Sequence, residues 1–161
     1  MIKLIDLLKE NNISNKIMSW IDTGDFSSNE AIADELTNYL DEEGYKDKGV
    51  IYRVFFFSKD ELMSFNSMYM KDFILKRDNG KFKSFCKDYS GVEYILKHYA
   101  EHEDRTVVIK QTSDYYDLLQ LIEDKYNELE FDDEIVGEVE NTQEVIAKIS
   151  PSLEVVKLIS K

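Results

Sequence analysis

The chain holds 161 residues, with 20 basic against 33 acidic side chains, a formal net charge of −13, and 43% hydrophobic and 12% aromatic residues. That length suits one domain of ordinary size, and that apolar content excludes a disordered chain. A lone cysteine, Cys86, excludes an internal disulfide and a cysteine-cluster zinc site. The acidic balance argues against direct binding to duplex nucleic acid, because phosphate contacts need clustered Lys and Arg. Asp6 and Lys9 interrupt the apolar start, so it does not read as a secretory signal, and no run approaches the roughly 18 apolar residues of a membrane span. A cytoplasmic protein with no membrane partner is the expectation.

Residues 1–46 read as a helical N-terminal portion packed on the rest. Ile2, Leu4, Ile5, Leu7 and Leu8, and then Ile13, Ile17, Trp20 and Ile21, recur at helical spacing. Asn11-Asn12 parts the two runs and Thr23-Gly24-Asp25 ends the second. Ser27 and Glu30 form a capping box that opens a helix carrying Ile32, Leu36, Tyr39 and Leu40 and ending near Gly44. Trp20 and Phe26 read as core residues rather than a ligand platform.

Residues 47–161 read as an α+β core. Residues 50–57 are β-branched and aromatic, as in a buried strand, and include one charge, Arg53. A second capping box, Ser58 to Glu61, predicts a helix with Leu62 and Phe65 inward and with Met63, Met68 and Met70 as core filling. Arg77-Asp78-Asn79-Gly80 signals a turn, and residues 81–86 alternate as a short strand. Residues 88–100 read as a helix with Val92, Ile95, Leu96 and Tyr99 inward. Its His98, four residues before His102, reads as a solvated helix-end histidine, because no third ligand accompanies the pair. Residues 106–111 form the next strand. A helix over 114–129 follows (Tyr115, Leu118, Leu119, Ile122, Tyr126), then a solvated acidic loop over 128–134. Residues 143–149 and 153–159 read as strands joined in hairpin fashion through Ser150-Pro151-Ser152.

The glycine-rich phosphate loops, the H-E-x-x-H and C-x-x-C metal and redox spacings and the G-x-S-x-G elbow are all absent from the sequence. What stands out is polarity inside strands: Arg53 in an apolar run, Ser84 among Phe82 and Phe85, and Glu144 opening an apolar strand. A charge in a strand core is costly unless it is paired or faces a ligand.

The order of these three residues resembles the R–S–E class of ADP-ribosyltransferases. The matching segments are Val50-Ile51-Tyr52-Arg53, then Phe82-Lys83-Ser84-Phe85-Cys86-Lys87-Asp88, then Thr142-Gln143-Glu144-Val145-Ile146. The likeness spans roughly residues 49–160, and strands 106–111 and 153–159 fall where that fold needs them. It implies a mixed β core around an NAD cleft, with NAD as substrate and no metal. Glu144 matches the carboxylate that stabilises the oxocarbenium-like centre as nicotinamide leaves. Arg53 matches the guanidinium that holds NAD oxygens, and Ser84 the hydroxyl that places Glu144. Phe85 or Tyr89 is the expected stacking ring for nicotinamide. Thr142 stands at the acceptor-side position, where the family carries Glu or Gln. A frame shifted to Glu138 and Glu140 restores the E-x-E pattern but loses the following Val-Ile strand, and ranks second.

The implied activity is mono-ADP-ribosyl transfer to a macromolecule, a host or rival-cell protein with a basic surface. The small, acidic, Lys/Asn/Ile-rich chain suits a phage or bacterial setting. The competing expectations are a non-catalytic acidic inhibitor or nucleic-acid mimic, and NAD hydrolysis without an acceptor.

Overall fold

A computed structural model describes residues 13–17, 20, 30–99, 104–129, 131 and 133–161. Residues 13–17 and Trp20 are helical. They are followed by α1 (Glu30–Glu42), β1 (Lys46–Phe57), a short 3-10 turn (Lys59–Glu61), α2 (Ser67–Asp78), β2 (Phe82–Cys86) and α3 (Tyr89–Tyr99). Then come β3 (Arg105–Tyr116), α4 (Leu118–Leu129), α5 (Asp133–Thr142), β4 (Glu144–Lys148) and β5 (Glu154–Ser160). The fold is mixed α+β, with a five-stranded antiparallel sheet. Ser27, on which the first capping box rests, and Phe26, Ile21 and His102 lie outside the described residues.

Two ladders carry the sheet. β1 and β3 pair along their whole length, from Lys46↔Tyr116 to Phe57↔Arg105, and β5 adds to the other edge of β3. β2 and β4 form the second ladder, from Phe82↔Lys148 to Cys86↔Glu144. Single pairs, Tyr52↔Cys86 and Tyr116↔Ile146, join the ladders, so the pairing closes on itself. The central core lies where the ladders meet α2. Ile51, Phe55, Phe57, Val107 and Ile109 pack with Phe85, Val145 and Ala147, and with Met70 and Ile74 of α2.

The outward side of β4 is covered by helices. Ile146 packs with Ile13, Ile17 and Trp20, with Leu36 and Leu40 of α1, with Leu118 and Ile122 of α4, and with Val139 of α5. Val92 of α3 packs on Val54, Val108 and Cys86. α1 ends where Gly44 takes a positive φ of 86° and the Tyr45 amide donates to the Leu40 carbonyl.

Several sequence expectations change. The Ser58–Glu61 capping box forms with both of its hydrogen bonds, but it caps only the 3-10 turn. The helix begins at Ser67 under a second cap, Asn66, leaving half-buried Leu62 and Phe65 in the connection. Met70 is core, whereas Met63 and Met68 are exposed. β3 runs through Tyr116 instead of stopping at 111, so its helix starts at Leu118; the ladder with β1 satisfies backbone groups that a helix from 114 would have to satisfy alone. The acidic stretch is not one loop: Glu128 lies in the last turn of α4 while Asp133 and Glu134 open α5, where acidic side chains suit the helix N-terminus. Finally, β4 and β5 form no hairpin, because β4 pairs with β2 and β5 with β3.

Candidate active site

The three polar strand residues meet at the junction of the ladders. Tyr52, Cys86 and Glu144 stand side by side across β1, β2 and β4. Arg53 follows Tyr52, and Ser84 lies two residues before Cys86 on the face that carries Glu144. The Ser84 hydroxyl donates to Glu144 Oε1 at 2.7 Å, and Arg53 Nη1 donates to the Ser84 carbonyl at 2.6 Å. The Arg53 guanidinium lies 4.7 Å from the centre of the Phe55 ring, a cation–π contact that flattens it against the strand.

These groups line a cleft of about 280 Å³. Phe56, Ile95 and Val139 give it apolar walls, and Glu138, Thr142 and Tyr99 reach it from the helices. Two backbone features bring α5 there. Gln143, at φ 56°, turns the chain from α5 into β4, and its carbonyl accepts the Lys87 amide at 2.7 Å. Gly91 lets α3 close on α5: a Cβ at that position would lie 2.2 Å from the Thr142 carbonyl oxygen.

Glu144 is 9% exposed, and its second oxygen, Oε2, is buried with no hydrogen-bond partner among the described residues. Burial pushes its pKa from 4.5 up to about 7; the Ser84 hydrogen bond and Arg53 pull it down, and the Glu138 charge adds to the rise. Burial lowers Arg53 to about 10, against the pull of Asp78, so the guanidinium is charged at neutral pH. Burial pushes the Cys86 thiol up to about 12, which removes it as a nucleophile. The arrangement supplies a fixed cation for an anion or for hydroxyl oxygens. Beside it stands a carboxyl with one oxygen held by Ser84 and the other buried.

Other expected site residues fare differently. Phe85 borders the cleft, and the residue is 2% exposed, with its side chain packed in the central core. Tyr89 is not among the lining residues; it packs edge-on against Tyr52 with ring centres 5.3 Å apart. Thr142 does line the cleft, with its hydroxyl donating to the Glu138 carbonyl at 2.9 Å. Of the shifted pair, Glu138 lines the cleft and Glu140 is exposed elsewhere. Glu138 accepts from Tyr99 at 2.7 Å and from Tyr94 at 3.4 Å. Its signal was present in the sequence: Ile135, Val136 and Val139 have helical spacing, which places Glu138 one turn before Thr142.

No protein-family model, curated protein or solved structure matches the chain. Among the described residues, no group of three or more His, Cys, Asp and Glu side chains is placed to hold a metal ion, and no helix is long and apolar enough to cross a membrane. His98 stacks on Tyr94, with ring centres 4.3 Å apart.

Proposed function

We propose that this protein is an NAD-dependent mono-ADP-ribosyltransferase with an ADP-ribosyltransferase-like core. The observation that carries the reading is the Ser84–Glu144 hydrogen bond in the lining of the cleft that Arg53 shares, with the other Glu144 oxygen buried and without a hydrogen-bond partner among the described residues. A carboxyl so placed suits a reaction that develops positive charge at a ribose carbon, because a preorganised charge in a low-dielectric cleft stabilises the transition state at little reorganisation cost. In its ionised form Glu144 faces that carbon, and its anchored oxygen keeps it from turning away. Arg53, charged and donor-rich, suits the ribose and phosphate oxygens of the same molecule. The cleft volume of about 280 Å³ is close to the lower end of the roughly 300–1,000 Å³ of small-molecule sites, a scale that fits the nicotinamide–ribose half of NAD.

The net charge of −13 favours a partner with a basic surface, steered by long-range attraction. That partner is the macromolecular acceptor in this reading. Incubating the purified protein with labelled NAD and cell lysate, followed by mass spectrometry, tests it. The expected result is labelled protein with wild type and none with Glu144→Gln, with NAD binding heat lost in Arg53→Ala. Absence of NAD heat and of labelled product from wild type overturns the reading, and leaves an acidic binding protein. Nicotinamide release without labelled protein replaces transfer by hydrolysis.

A further inference from the structure

Group transfer from NAD needs a second group besides the carboxylate at the ribose carbon, because an attacking O–H or N–H must lose its proton. Few of the described residues around the cleft can accept one. The Cys86 thiol and the Tyr99 hydroxyl are both held protonated well above neutral pH, Cys86 by burial and Tyr99 by its bond to Glu138 together with burial. Arg53 is cationic, and the Thr142 hydroxyl donates to its own helix backbone. Glu144 has one oxygen held by Ser84 and is taken up by the ribose carbon. Glu138 is the remaining carboxylate in the lining. It projects from α5, and hydroxyl donors from two positions on α3 fix it.

We propose that Glu138, clamped by Tyr99 and Tyr94 in the cleft that holds Arg53, Ser84 and Glu144, takes the proton from the attacking group of the acceptor. This rests on the transferase reading. The bond from the ribose carbon to the nicotinamide ring nitrogen breaks, and its electron pair goes to the ring, which becomes neutral. A bond forms between that carbon and the nucleophilic O or N, whose proton passes to a Glu138 oxygen and then to solvent. The products are the ADP-ribosylated acceptor, nicotinamide and one proton. The acceptor class is therefore a group with a transferable O–H or N–H proton, water included. Glu138 takes the part that the hydroxyl of Thr142 cannot perform, from one helical turn upstream.

The test measures NAD binding by calorimetry and nicotinamide release by chromatography, using the full chain. Glu138→Gln is expected to bind NAD within about twofold of wild type while nicotinamide release falls about 100-fold, the lower end of general-base effects. Glu138→Asp should retain an intermediate rate, and added formate should restore part of the activity of Glu138→Ala, which a purely structural role does not predict. Tyr99→Phe, which removes the stronger clamp, should lower release less than Glu138→Gln does. If wild type releases nicotinamide and Glu138→Gln matches it, the assignment fails while the transferase reading stands. A loss in Glu138→Ala that formate leaves untouched also overturns it. If wild type neither binds NAD nor releases nicotinamide, the transferase reading itself has failed, and this assignment with it.

Discussion

Replacing Glu144 with Gln should make the protein more stable above neutral pH. The native carboxyl has its pKa raised from 4.5 to about 7, chiefly by burial. Between those values the folded state holds a proton that the unfolded chain has released, so stability falls as pH rises through that window. It is present in full below pH 4.5 and the loss is complete once pH has passed about 7. At 1.36 kcal/mol for each pH unit of separation, the loss amounts to about 3 kcal/mol. Glutamine has the same shape, can still accept from Ser84 Oγ, and carries no proton that titrates here. Urea unfolding followed by circular dichroism, on both proteins at pH 4.5 and pH 8.5, isolates the effect, since any pH-independent cost of the amide cancels between the two conditions. The variant should gain about 3 kcal/mol relative to wild type on going to pH 8.5, which for a chain of this size means several degrees in Tm. Stability differences that stay equal at the two pH values would refute the claim that Glu144 ionises against burial. Stability would thus rise as the ionisable carboxyl is removed, the pattern expected where a buried charge is kept for something other than folding.

Ser84→Ala removes the hydrogen bond that holds the Glu144 pKa down, so the acid limb of any NAD turnover should move up by about 1 pH unit; a limb that stays in place counts against that bond. Arg53→Lys keeps a charge but loses the planar fork that reaches the Ser84 carbonyl, and calorimetry should show NAD binding weakened about tenfold or more. Gly91→Ala should cost about 1–3 kcal/mol in urea unfolding, because the added carbon meets the Thr142 carbonyl and α3 must move off α5; an unchanged midpoint would show that the helices give way freely. The Cys86 thiol should resist a thiol reagent in the native protein and react fully in urea, and rapid native labelling would contradict its burial.

Arg53, Ser84 and Glu144 were legible because each breaks the pattern of its own strand, and a polar residue in such a run has to be accounted for by a partner or a ligand. Their convergence is a matter of register, which the order of elements suggests but pairing alone settles. β3 was half legible. Its first part holds the apolar run Val107 to Ile109, whereas Thr112 and Ser113 are polar and Asp114 reads as the start of a helix. They are held as strand by the ladder to β1, where Lys48 faces Asp114 and Val50 faces Thr112. The start of α5 was hidden for an electrostatic reason: Asp133-Glu134 continues an acidic stretch that looks like solvated loop, whereas Glu138 beyond it was named in the second-ranked frame. Of the rings expected to stack, Phe85 lies in the central core and Tyr89 packs beside Val54 and Val92, because aromatic residues beside a site are drawn into the core as readily as into the cleft.

The row Tyr52–Cys86–Glu144 runs across three neighbouring strands, so its span is two strand spacings, roughly 10 Å. A slip of one residue between β2 and β4 would send Glu144 to the opposite face. Glu138 and Tyr99, by contrast, ride on α5 and α3, whose reach over the cleft depends on how those helices pack. The sheet therefore fixes where Ser84 and Glu144 stand, while the packing of α3 on α5 sets which helix side chains complete the cleft.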